Sequence, residues 1–153
     1  MSGFLLDTDV LSLLAPTKPQ ASADFLAWLD RMDGDGLVFV SVVSLHEIRK
    51  GIAQLDHKGA TAKAAGLNAW LSGLVASYDD KILGFDAQAA TIAGRLEAKA
   101  LAAGHDPGMA DAMIAGIAAA HDLIVVTCNT RHFLPFGIAV LSPDEAAAEG
   151  DGA

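Results

Sequence analysis

The sequence predicts an α/β fold, a three-layer sandwich in which a mainly parallel five-stranded sheet is flanked by helices. Two observations carry that prediction. Five short strand-like runs occur, and long stretches with helical periodicity separate the first four, the spacing of crossover units. The run Leu123-Ile124-Val125-Val126 is apolar without alternation, as in a strand covered on both faces. At 153 residues and 52% hydrophobic content, the chain can bury one core without staples.

In order, strands are expected over Gly3–Leu6, Leu37–Ser41, Lys81–Phe85, Leu123–Thr127 and Ile138–Leu141. A helix formed by Val10, Leu11, Leu13 and Leu14 follows the first. Apolar stripes at helical spacing follow: Phe25, Leu26, Leu29 and Met32, then Leu45, Ile48, Ile52 and Leu55. The third comprises Leu67, Trp70, Leu71, Leu74, Val75 and Tyr78. Asp86 is the expected N-cap of an Ala-rich helix reaching Ala103. Turns are expected around Pro16–Gln20, Asp33–Gly36, Gly104–Gly108 and Asn129–Pro135. One domain over 1–143 results, and the Ala/Glu/Gly segment 144–153 is expected to fray.

Composition narrows the function classes. A single cysteine, Cys128, excludes an internal disulfide framework and fits a reducing compartment; it is expected to be a packed thiol. No basic segment followed by an apolar one opens the sequence. No apolar run approaches the roughly 20 residues that span a bilayer, so a cytoplasmic protein is expected, without a membrane role. The formal net charge of −9, from 19 Asp+Glu against 10 Lys+Arg, disfavours direct electrostatic binding of nucleic acid. It favours a basic protein partner, or carboxylates gathered around cations.

Ligands of open parallel sheets bind beyond the carboxyl ends of the strands. Asp7, Thr8 and Asp9 follow the first expected strand, Glu47 the second, and Asn129 the fourth. Asp7 ends the run Phe4-Leu5-Leu6, where a carboxylate is partly desolvated and needs a cation or N–H donors to stay ionised. The alternative is that Asp7 or Asp9 caps the following helix. Ser44-Leu45-His46-Glu47 matches a capping box, a structural role for Glu47. Asp111 is the only charge between Met109 and Ala120. With Asp106 as N-cap and Pro107 at the first helical position, it would lie beyond the first turn, where neither capping nor the helix dipole explains it. Its structural alternative is an ion pair with Arg95 or Arg131. The five histidines show no paired metal-ligand spacing. An all-oxygen carboxylate set favours Mg²⁺ or Mn²⁺, which can activate water and neutralise phosphodiester charge. The cations would then carry the phosphate, and only a few basic residues (Arg49, Lys50, Arg95, Arg131) need line the groove.

Four segments in register, FLLDTDVLS, VSVVSLHEIRKGI, ILGFDAQAATIAGRL and DPGMADAMIAGIAAAHDLIVVTCNTRHF, resemble the PIN-domain ribonucleases, in particular the VapC-type toxins of bacterial toxin–antitoxin pairs. The resemblance places that family's acidic positions on Asp7, Glu47 and Asp111. Asn129 takes the fourth, where the family has Asp or Asn, and Thr8 and Thr127 stand as supporting residues. An amide is a neutral and weaker ligand. The family often carries an acid where this chain has His132. The resemblance implies a Mg²⁺- or Mn²⁺-dependent endoribonuclease that hydrolyses RNA with a metal-activated water. It further implies a homodimer and a cognate antitoxin whose C-terminal segment wraps the toxin and blocks the acidic pocket, often with a basic side chain. A −9 protein suits such a partner.

Two other readings compete. Asp7-Thr8-Asp9 after a strand also resembles the nucleophile and acid/base aspartates of haloacid-dehalogenase-type phosphatases, but Lys81 begins a strand where that class needs a lysine after one. A receiver-like or purely protein-binding domain, including a non-catalytic PIN-like one, is the alternative outside catalysis.

Overall fold

The computed structural model describes residues 3–17 and 21–151. Part of the turn expected around Pro16–Gln20 therefore lies outside the described residues. Five strands, β1 (Phe4–Leu6), β2 (Val38–Ser41), β3 (Ile82–Leu83), β4 (Ile124–Val126) and β5 (Val140–Leu141), form one sheet in the order β3-β2-β1-β4-β5. Every pairing is parallel, and each strand is a little shorter than the apolar run that predicts it. The helices are α1 (Thr8–Ser12), α2 (Ala23–Gly34), α3 (Val42–His57), α4 (Thr61–Tyr78), α5 (Ala87–Ala102), α6 (Met109–Ala120), α7 (Thr130–Phe133) and α8 (Pro143–Asp151). No helix among the described residues is long and apolar enough to cross a membrane.

The two-residue period of the strands divides the core into two layers. Phe4, Leu6, Val38, Val40 and Val126 face one side, beneath α2, α3, α4 and α8. Leu5, Phe39 and Val125 face the other, beneath α5 and α6. β1 and β4 are therefore apolar on both faces, as the unalternated sequence required.

The helix stripes hold with one exchange. In α2, Phe25, Trp28 and Leu29 are buried, whereas Leu26 is exposed. The Trp28 ring meets Phe4 edge-on, with centroids 4.8 Å apart, and stacks on Phe25 at 5.6 Å. Rings buried in this way stabilise by about 1.5–3 kcal/mol each, and they fix β1 three residues before Asp7. Helices α5 and α6 approach so closely that a Cβ at Gly116 would lie 2.6 Å from the Ala89 carbonyl oxygen.

The C-terminal segment departs from expectation. Ser142 Oγ accepts from Glu145 N at 3.1 Å, and Glu145 Oε1 accepts from Ser142 N at 3.0 Å. This reciprocal cap starts α8 at Pro143. Residues Pro143–Asp151 are helical where fraying was expected, and Ala146 and Ala147 pack into the α2-side core; residues 152–153 lie outside the described residues.

Candidate active site

The carboxyl ends of β1, β2 and β4 lie side by side, and the residues that follow them meet in one place. Asp7, directly after β1, is only 7% exposed. Its Oδ1 accepts from the Thr8 backbone N–H at 2.8 Å, which makes Asp7, and not Asp9, the N-cap of α1. Its Oδ2 accepts from Thr127 Oγ1 at 2.8 Å. The fully buried Thr127 hydroxyl in turn accepts from the Asn129 backbone N–H at 3.0 Å. One hydroxyl thus uses its proton on Asp7 and a lone pair on the next loop.

Glu47 arrives from α3 by a route that excludes its structural alternative. Ser41, the last residue of β2, caps the helix by accepting from Ser44 N at 3.1 Å. The helix therefore starts three residues before the predicted capping box, and Glu47 lies beyond its first turn. Glu47 Oε1 instead accepts from Thr8 Oγ1 at 2.6 Å, a short charge-assisted bond. Thr8 Oγ1 also lies 2.9 Å from the Oγ of the buried Ser44.

Asp111 differs from its predicted setting. Gly108, with extended backbone (φ −70°, ψ 147°), is the N-cap, and α6 begins at Met109. Asp106 and Pro107 stay outside the helix, so Asp111 falls in the first turn, where the helix dipole favours a negative charge. Its ion-pair partner is His132, with Nδ1 3.8 Å from Asp111 Oδ2, and not an arginine. The two line a cavity of about 430 Å³ with His105, Arg131 and Pro135. A second cavity, of about 310 Å³, adjoins Thr8 and Glu47 and is walled by Ile48, Leu67 and Trp70.

Electrostatics bind these groups into one centre. Burial pushes the Asp7 carboxyl up to about 7, and the nearby charges of Asp9 and Asp111 add to the rise, against the hydrogen bonds from Thr127 and Thr8. Burial also raises Asp111; His132 opposes that rise, while Glu47 and Asp9 reinforce it. The Cys128 thiol, exposed where packing was expected, is held up at about 11 by partial desolvation and then by Asp9, Asp7 and Asp144. Among the described residues, no three His, Cys, Asp or Glu side chains are drawn together closely enough to ligate an ion. Asp7, Asp9, Glu47 and Asp111 lie within range to repel one another, and a cation would relieve that repulsion. Their donors are oxygens, which suit a hard divalent ion.

Of the six predicted site residues, hydrogen bonds join Asp7, Thr127 and Asn129 in one group and Thr8 and Glu47 in another, and Asp111 is brought to Asp7 and Glu47 only within electrostatic range. The sequence offers Asp9 as a residue after the first strand or a helix cap, Ser44 as part of a capping box and His132 as the place of a family acid, but not the contacts they make here. Asp9 accepts from Asn129 Nδ2 at 2.9 Å and from Cys128 N at 3.2 Å. Position two residues after a strand-terminal aspartate, on the same helical turn, was the available signal. Lys81, by contrast, sits at the opposite end of the sheet beside Gly36 and pairs with Asp80, away from Asp7.

The PIN domain family model matches residues 4–134. The chain is 33% identical over 140 residues to toxin FitB of Neisseria gonorrhoeae, covering 91% of this chain and 96% of that protein. It is 31% identical over 135 residues to a tRNA(fMet)-specific endonuclease VapC of Shigella flexneri, covering 87% and 91%. Among solved structures, FitAcB from Neisseria gonorrhoeae superposes with a TM-score of 0.77 at 32% identity, over 92% of this chain and 97% of that one.

Proposed function

This chain belongs to the PIN domain family, and from that premise we propose that it is a metal-dependent endoribonuclease, the toxin of a toxin–antitoxin pair. The observation that carries the reading is the convergence of Asp7, Glu47 and Asp111, from three distant segments, around hydroxyls that fix two of them. Relatives named as a toxin and as a tRNA-specific endonuclease support it.

Asp7, Glu47 and Asp111 would hold Mg²⁺ or Mn²⁺. What such an ion supplies is neutralisation of phosphodiester charge and an acidified water. The chain's own contribution is orientation. Thr127 aims the Asp7 carboxylate, Thr8 aims that of Glu47, and Asn129 stands at the exposed rim where RNA would pass. The two cavities bracket the carboxylates and offer room for the nucleotides on either side of the scissile phosphate. The cognate antitoxin would cover the same centre, with the apolar wall of Ile48, Leu67 and Trp70 beside it. For a homodimer, the surface offered is the apolar hollow of Val42, Val43, Phe85, Met109 and Met113, where Met109 is 69% exposed. The site of action is the cytoplasm.

The test is cleavage of a mixed RNA pool with Mg²⁺ or Mn²⁺ and with EDTA, by the wild type and by Asp111→Asn. Metal-dependent cleavage that the variant loses is the expected result. Equal cleavage by both, or hydrolysis of a small phosphate ester without RNA cleavage, would overturn the assignment.

A further inference from the structure

Asp9 is the acid of this centre to which the PIN-domain resemblance gives no role, and the capping role the sequence offers it is filled by Asp7. Its carboxylate leaves α1 and crosses to the segment between β4 and α7, 120 residues away in the chain. There it accepts from Asn129 Nδ2 at 2.9 Å and from Cys128 N at 3.2 and 3.3 Å, and its Oδ2 lies 3.4 Å from Thr127 Oγ1. An ionised carboxylate has no proton to give, so it can engage a side-chain amide only through the NH₂ group. The Asn129 amide is thereby oriented, and its carbonyl Oδ1 makes no hydrogen bond among the described residues.

We propose that Asp9 is a positioning residue, which holds Asn129 so that its side-chain carbonyl oxygen is the atom presented to a divalent cation or to RNA. The inference rests on the nuclease reading above. Its physical sense lies in the charge of the pocket. Asp7, Glu47, Asp111 and Asp9 already repel one another, and a further carboxylate at 129 would stand against Asp9 at hydrogen-bonding distance. A neutral oxygen adds a lone pair without adding charge. Asp9 also ties the loop backbone through Cys128, so Asn129 is held at both its side chain and its main chain.

The experiment compares wild type, Asp9→Ala, Asn129→Asp and the exchanged pair Asp9→Asn/Asn129→Asp. It reads RNA cleavage kinetics, Mn²⁺ affinity by calorimetry and the Asn129 side-chain amide by NMR. In Asp9→Ala the Asn129 amide signal shifts and kcat falls by about tenfold, as is usual for a lost supporting contact, with KM little changed. Asn129→Asp loses a similar factor. The exchanged pair recovers most of it, because the new amide at 9 can donate to the new carboxylate at 129. An unshifted amide signal in Asp9→Ala, or no recovery in the exchanged pair, overturns the proposal. So does complete loss of Mn²⁺ binding in Asp9→Ala, matching that of Asp7→Asn, which would make Asp9 a ligand. If the wild type cleaves no RNA, the nuclease reading fails, and the amide signal and Mn²⁺ titrations still decide the positioning role.

Discussion

Thr127 Oγ1 donates to Asp7 Oδ2 at 2.8 Å, although the two residues are 120 positions apart in the chain. The bond joins the ends of the adjacent strands β1 and β4, whose register pairs Leu6 with Val126. Replacing Thr127 with valine keeps the volume and deletes the hydroxyl. Asp7 Oδ2 and the Asn129 N–H then lose their partner inside the protein, at a cost of about 1–3 kcal/mol for a buried group left unsatisfied. Urea denaturation of Thr127→Val reads that cost, and RNA cleavage falls by about tenfold. Full activity with unchanged stability would show that Thr127 does not support the site.

Asp7 gives the fold a pH dependence of definite sign. Its carboxyl is raised to about 7 from an ordinary value of 3.8, chiefly by burial and then by Asp9. The native state therefore holds this proton more tightly than the unfolded chain does. Stability without metal is greatest below about pH 4 as far as this group is concerned, declines as pH rises to about 7, and levels off above that. Asp7→Asn removes the buried charge and should raise metal-free stability at pH 8 by about 1–2 kcal/mol while abolishing cleavage. Because ligands bind metal deprotonated, Mn²⁺ should raise the melting temperature more at pH 8 than at pH 5. Thermal melts at both pH values, with and without Mn²⁺, check both statements; a wild type that is more stable at pH 8 than Asp7→Asn contradicts the first.

Met109 projects at 69% exposure from the first turn of α6, beside the exposed Val42 and the hollow lined by Phe85 and Met113. If this face joins two copies of the chain, Met109→Glu places a carboxylate in an apolar contact. The sedimentation coefficient should then fall from that of a dimer to that of a monomer, with the far-UV spectrum unchanged. A variant that still sediments as a dimer moves the interface elsewhere.

The fold was legible because β1 and β4 are apolar on both faces, as interior strands of a parallel sheet covered by helices must be. Asp7 and Asp111 were legible for the same reason, as charges set into apolar runs. Local capping was legible only in part: Asp86 caps α5 as expected, but other caps turn on backbone angles that side-chain patterns do not encode. Ser44 and Glu47 have the spacing of a capping box but do not form one, since Ser41 already caps the helix. Ser142 and Glu145 have the same spacing and do form one. Gly108, not Asp106, is the N-cap of α6, so the helix starts two residues later than Pro107 suggested. Contacts such as Asp9 to Asn129 cross between elements, and no sequence window contains both partners.

The helix α8 provides the last test, because its composition alone predicts disorder. Mostly Ala, Glu and Asp, it has little intrinsic reason to order unless its cap and its buried face both hold. Ser142→Ala removes the acceptor for Glu145 N and should cost about 0.5–2 kcal/mol, the usual range for a lost N-cap. Ala146→Asp is the sharper variant. Ala146 is fully buried beside α2, so a carboxylate there must either lose its charge or expel the helix. Expelling α8 uncovers the α2 side of the core, close to the Phe25 and Trp28 rings that hold β1. The expected result is a global loss of stability of about 2–4 kcal/mol, read by urea denaturation, with a smaller m-value if the helix detaches in the native state. If Ala146→Asp unfolds at the wild-type midpoint, α8 is not part of the cooperative fold.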